Sequence, residues 1–211
     1  MVSVEVLLAF AATLISLRLA SLVAGRWRAS GRPELAAWSG ALLAYAAASG
    51  ALTWGAAYGW DTRSFRVYYL FGALLSAPLL GIGSLLLYGW KRIIAPALIY
   101  VGLAVGIAIS VPVHGAFAES IPAAQDHLTF VPARLVAIVA NSVGTLAVVA
   151  VAIVTIRRRP LGNGLILAGV AVAALGTALS GLGAAKTAVF VVIAALLLYG
   201  GFTASPRRRA N

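Results

Sequence analysis

From Val67 to Trp90 the chain runs 24 residues without a charged side chain, and that stretch limits what the rest can become. As an α-helix, 24 residues rise about 36 Å, more than the roughly 30 Å of bilayer hydrocarbon. Arg63 and Arg66 frame it at one end, among aromatic residues, and Trp90, Lys91 and Arg92 frame it at the other. Aromatic and basic residues at both ends of an apolar run are the interface anchors of a membrane-spanning helix.

Other runs follow the same grammar. Charge-free intervals cover 35–60, 93–118, 135–156, 160–185 and 187–206, and a further apolar run near the start is interrupted by Arg18. Arg18 lies close to one end of its run, where a long side chain reaches the interface. Charged residues make up only 10% of the chain, against about 25% in soluble domains. These features predict an all-α, polytopic membrane protein: one transmembrane domain over 1–211, a seven-helix bundle. The helices are expected at about 4–24, 34–57, 65–88, 92–113, 131–156, 162–180 and 184–202.

Charge then gives the bundle its sides. Alternating the seven runs puts Arg18, Arg26, Arg28, Arg32, Lys91, Arg92, Arg157, Arg158, Arg159, Arg207, Arg208 and Arg209 on one face against Glu34 alone, a net +11. The other face holds Arg63, Arg66, Arg134 and Lys186 against Glu5, Asp61, Glu119 and Asp126, a net of 0. The basic face is cytoplasmic by the positive-inside rule, which puts the N-terminus outside and the C-terminus in the cytoplasm. The excess charge therefore orients the chain and touches anionic lipid at the cytoplasmic face; nucleic acid is not an expected partner. The chain has no cysteine, so disulfides and thiolate chemistry are excluded.

Small residues recur every fourth position in several runs: Ala36, Gly40, Ala44 and Ala48; Gly102, Gly106 and Ser110; Gly169, Ala173, Thr177 and Gly181. Such spacing predicts faces on which helix backbones approach closely. Pro78 is the one proline expected inside a helix, where it frees a backbone carbonyl and kinks the third helix, either as a packing kink or as a hinge beside a widened cavity. Gly72, Ser76, Gly81 and Gly83 around it place the third helix at the centre of the bundle.

Ionisable residues at membrane depth are the functional candidates. Arg66 and Tyr69 share a face of the third helix, Arg134 and Asn141 a face of the fifth, and Lys186 opens the seventh. Together Arg66, Tyr69, Arg134, Asn141 and Lys186 predict an outward-facing polar vestibule with excess positive charge, suited to an anionic headgroup or carboxylate. The alternative is that these cations pair with Glu5, Asp61, Glu119 and Asp126 and lock the helix ends together. Catalysis is not expected: there is no GxSxG, HExxH or P-loop. Only His114 and His127 are present, and neither falls in a recognised metal-ligand spacing. No metal or cofactor is expected.

Two stretches carry family resemblances. GAAKTAVF around Lys186 resembles the retinal-lysine helix of microbial rhodopsins. No carboxylate lies between Val67 and Trp90 to serve as counter-ion, and Lys186 falls in the first turn of its helix, so retinal is not expected. FRVYYLFGALLSAPLLGIGSLLLYG, Phe65 to Gly89, resembles uncharacterised small seven-helix membrane proteins of high-GC bacteria. That resemblance implies a multi-pass protein of the bacterial cytoplasmic membrane and carries no established activity. The expected function is binding or translocation of a small or amphiphilic solute through an outward-opening cavity beside the third helix. The alternative is a non-catalytic structural or signalling subunit that docks on another membrane protein.

Overall fold

The computed structural model describes residues 4–115, 117, 121–122, 124–181 and 187–204, with the side chains of 177–181 and 187 set aside. Among them every regular element is helical: α1 Val4–Ser30, α2 Pro33–Tyr58, α3 Thr62–Tyr88, α4 Lys91–Ser110, α5 Ala124–His127, α6 Val131–Thr155, α7 Pro160–Gly181 and α8 Thr187–Thr203. Five of these, α1, α2, α3, α4 and α6, are long and apolar enough to cross a membrane, and α7 and α8 contribute shorter apolar stretches.

Helix ends follow from local chemistry. Gly31, at φ +66°, stops α1 six residues beyond the expected Ala24, so Arg26 and Arg28 are helical. α3 starts at Thr62, earlier than expected, because Asp61 and Ser64 form a reciprocal capping box. The Asp61 carboxylate accepts from the Ser64 amide at 2.7 Å, and the Asp61 amide donates to the Ser64 hydroxyl at 3.0 Å. At the other end Gly89, at φ +102°, sends its N–H to Leu86 O while Trp90 sends its own to Leu85 O. That double closure turns the chain straight into α4, the tight hairpin expected from Lys91 and Pro96. α4 ends at Ser110 because Val111 precedes Pro112 and is extended, at φ −72°, ψ 125°.

The cap at Asp61 has a pH signature. Hydrogen bonds from the Ser64 hydroxyl and amide hold the Asp61 carboxyl below the usual carboxylate range. A lowered folded pKa means that the cap stabilises above the unfolded value of about 3.9 and fades as pH falls through the folded one. Asp61→Ala should lower the melting temperature in detergent at pH 7 by about 2–4 °C, the size of one lost cap. The gap between variant and parent should narrow as pH is taken to about 3. A gap that stays constant over that range would remove the carboxylate from the account.

Contacts between helices give their directions. Ser39 of α2 donates to Ala20 O of α1, and Gly50 lies against Thr13, so α1 and α2 are antiparallel. Gly40 meets Leu79 and Gly72 meets Ala48, making α2 and α3 antiparallel across the expected small-residue face of α2. α3 and α6 run parallel, with Tyr69 on Ala133, Asn141 on Ala73, and Gly144 against Ala77 and Pro78. α1 and α8 are also parallel: Ala9 packs near Ala188 and Arg26 reaches Phe202 O. α7 returns against α8, with Gly162 on Gly201 and Gly169 on Ala194 and Leu198. The helices α2, α1, α8, α7, α6 and α3 thus join edge to edge in a ring.

α4 stands outside that ring. It packs on α3 alone among the well-populated contacts. Only 17% of its apolar stretch is buried inside the protein, against 50% for α2. The stripe Gly102, Gly106 and Ser110 was expected to be a packing face; instead all three are exposed, and nothing lies within 4 Å of where a side chain would start on either glycine. The physical reason is position: a peripheral helix has one neighbour, and that neighbour takes the other face.

The helix around Pro78 is irregular in a specific way. Tyr68–Ser76 winds as a π-helix, and the α-helix resumes at Ala77. Proline has no N–H, so it cannot donate to Leu74 O in an α-pattern or to Ala73 O in a π-pattern. Both carbonyls are met from other helices: Asn141 of α6 donates to Ala73 O, and the Tyr100 hydroxyl of α4 donates to Leu74 O at 2.5 Å. Ser76 covers the preceding carbonyl, Gly72 O, at 2.6 Å. In hydrocarbon an unmet backbone group costs several kcal/mol, so these donors are what allow the irregular turn to exist at this depth.

Candidate functional site

Arg66 sits one turn into α3, about 6 Å along the axis from Thr62. Its Nη1 donates to Ala108 O and to Ile109 O (3.2 Å), the last exposed carbonyls of α4. A cation at a helix C-terminus meets both the unpaired carbonyls and the negative end of the helix dipole. A guanidinium carries five N–H donors. Nε and Nη2 of Arg66 make no hydrogen bond within the described residues, and no carboxylate pairs with it there.

Two recesses meet at this side chain. The inner one, lined by Phe65, Tyr69, Ile107, Val111 and Leu128 among others, holds about 10 Å³, the lower limit for a single water. The outer one is an open groove of about 320 Å³ between α3 and α4, lined by Arg66, Val67, Leu70, Ala108 and Ile109. Its walls are apolar and its one charged group stands at the end nearest the capping box. The same end carries exposed Trp54 and Tyr58, and Trp60 packs edge-on against Tyr68 at 5.4 Å.

Of the predicted site residues, Arg66 and Tyr69 come together at the inner recess, and Arg66 alone reaches the groove. Tyr69 is buried, its hydroxyl donating to Ala133 O at 3.2 Å, the first turn of α6. Arg134, the next residue, lines neither recess. Asn141 is a full two turns deeper, donating to Ala73 O and Ala137 O (3.2 Å), so it joins α6 to the π-helical turn rather than facing the recesses. Lys186 and Glu119 lie outside the described residues. Glu5 is half-buried on α1.

Sequence reasoning missed four participants. Tyr100 carries no mark in the sequence, and only the fold brings it to Leu74 O. Ala108 and Ile109 contribute through their backbone, which no residue type signals. His127, the last residue of α5, is buried, stacked on Phe117 at 4.4 Å and near Phe65 at 5.5 Å. Its Nδ1 lies 2.9 Å from His114 O, and the His114 amide donates to His127 O, so the loop is closed on itself over the recess.

The opposite end uses the same device. Arg26 of α1 donates to Phe202 O at 3.4 Å and Arg159 to Ala204 O at 2.6 Å, both at the C-terminus of α8. Arg32 pairs with buried Glu34 at 2.5 Å. Comparison with family models, with curated proteins and with solved structures finds no match.

Proposed function

We propose that this helical membrane protein binds an amphiphile from the bilayer in the groove between α3 and α4, without catalysing a reaction. The groove carries the reading: about 320 Å³ of open, apolar-walled space with one cation at its head. That is the form of an amphiphile, whose chain needs apolar walls and whose polar end needs a single charged or hydrogen-bonding group. The groove opens sideways to lipid, so the ligand enters along the membrane rather than through the bundle. Binding is preferred to translocation because the mid-depth polar groups, Asn141 and Tyr100, are engaged with backbone carbonyls.

The proposal includes seven crossings with the N-terminus outside, in a bacterial cytoplasmic membrane. The antiparallel and parallel pairings support the alternation, and the one-sided basic charge supports the orientation. The Arg66 end is then the outer one.

Photolabelling tests the groove. A fatty acyl probe carrying a diazirine on its chain should label Leu70 and Ile109 well above lipid-facing Leu135, Ile138 and Val143 of α6. Val67→Trp, which fills the groove from its exposed wall, should abolish the excess. Uniform labelling of α4 and α6 would sink the proposal.

A second reading, a subunit docking on another membrane protein, rests on the bare Gly102 and Gly106 face of peripheral α4. A stoichiometric partner in mild detergent, lost on Gly106→Leu, would favour it; a lone chain would not.

A further inference from the structure

We infer that the occupant of the α3–α4 groove is a phospholipid, its phosphate on Arg66 and one acyl chain along Val67, Leu70, Ala108 and Ile109. This rests on the amphiphile reading and adds the chemical class of the head. The first argument is charge. Arg66 is a fixed cation whose Nη1 is spent on Ala108 O and Ile109 O while Nε and Nη2 make no hydrogen bond among the described residues. Those two positions form the edge of the guanidinium that binds phosphate oxygens in a fork. Among the described residues no acidic side chain pairs with it, whereas the charge of Arg63 acts on neighbouring Asp61.

The second argument is depth. Arg66 lies one turn inside the end of α3 and beside the last turn of α4, level with the zone where helices leave hydrocarbon for headgroups. A lipid phosphate resides there already, and its chain descends parallel to the helices, past Leu70. The third argument is access. The groove faces the bilayer, where phospholipid is the solvent, so the occupant needs no aqueous route.

Native mass spectrometry of the delipidated full-length protein in detergent, titrated with dioleoylphosphatidylglycerol and with dioleoylglycerol, separates the claims. The two lipids share their chains and differ in the anionic phosphoglycerol head. One arginine near the membrane surface predicts about fivefold tighter retention of the phosphatidyl lipid. Arg66→Gln, which keeps an N–H for the α4 carbonyls but removes the charge, should bring the ratio close to one. Should that variant lose helicity, salt at about 1 M, where the screening length is ~3 Å, should shrink the wild-type preference instead. Val67→Trp should weaken both lipids. Equal retention of the two lipids by the wild type, with both weakened by Val67→Trp, would overturn the phosphate assignment and leave the amphiphile reading standing. Retention indifferent to Val67→Trp would overturn both.

Discussion

Replacing Gly144 with valine is expected to destabilise the protein by about 3 kcal/mol, at the upper end of overpacking substitutions. A Cβ at Gly144 would lie 2.5 Å from Ala77 O and 2.7 Å from Pro78 Cα, and one at Gly81 would lie 2.6 Å from Gly144 Cα. Every one of those neighbours is backbone, which has no rotamer to escape into. The crossing point of α3 and α6 is therefore a backbone-on-backbone contact, set where the π-helical turn returns to α-helix. Gly102→Ala supplies the contrast: its new methyl meets nothing within 4 Å, so a more helix-favouring residue should leave stability unchanged or raise it. Unfolding in mixed micelles, followed by tryptophan fluorescence, reads both. If Gly144→Val and Gly102→Ala behaved alike, the close crossing would not be what holds α3 to α6.

The apolar helices were legible in the sequence because hydrocarbon imposes a simple rule, length without charge. Val67–Trp90 and its flanking arginines state it locally. Helix ends were less legible. Asp61 and Ser64 form a capping box that extends α3, but the same residues read equally well as a polar loop. The π-helical turn was not legible at all. Nothing in YYLFGALLS specifies it; Pro78 withholds one N–H from Leu74 O or Ala73 O, and side-chain donors to those two carbonyls arrive from Tyr100 and Asn141 on other helices. Small-residue spacing was informative only where a neighbour existed: Gly40 has Leu79 nearby, while Gly102 and Gly106 have nothing. Spacing gives a face its shape, and the fold decides whether anything lies against it.

The candidate site was half legible for a related reason. Arg66 and Tyr69 are legible as neighbours, because three residues apart on one helix is a local fact. Their partners are carbonyls of Ala108, Ile109 and Ala133, which carry no mark in the sequence. Three basic residues share one structural task that residue type alone does not signal. Arg66 at α4, and Arg26 and Arg159 at α8, each reach across to the C-terminus of a different helix. Exposed helix C-termini present several unpaired carbonyls, and a long cationic side chain from a neighbour can meet two at once. Each of these cations ties the end of one helix to its neighbour.

Asn141 and Pro78 should prove to be two halves of one device. Asn141→Val leaves Ala73 O without its interhelical donor, at a cost of about 1–2 kcal/mol for a polar group in a membrane interior. Pro78→Ala restores an N–H that can reach Leu74 O in an α-pattern or Ala73 O in a π-pattern. In the Pro78→Ala background the penalty of Asn141→Val should therefore fall below about 0.5 kcal/mol, a coupling that only a shared acceptor explains. The same background should let Tyr68–Ser76 rewind as α-helix, turning the Arg66 end of α3 relative to Gly81. Arg66 would then leave Ala108 O and Ile109 O, and acyl labelling at Leu70 and Ile109 should drop although neither residue has changed. An Asn141→Val penalty of equal size in both backgrounds would place its role elsewhere than at the proline-freed carbonyls. Loss of labelling without that coupling would mean that the turn shapes the groove but does not depend on Asn141 to persist.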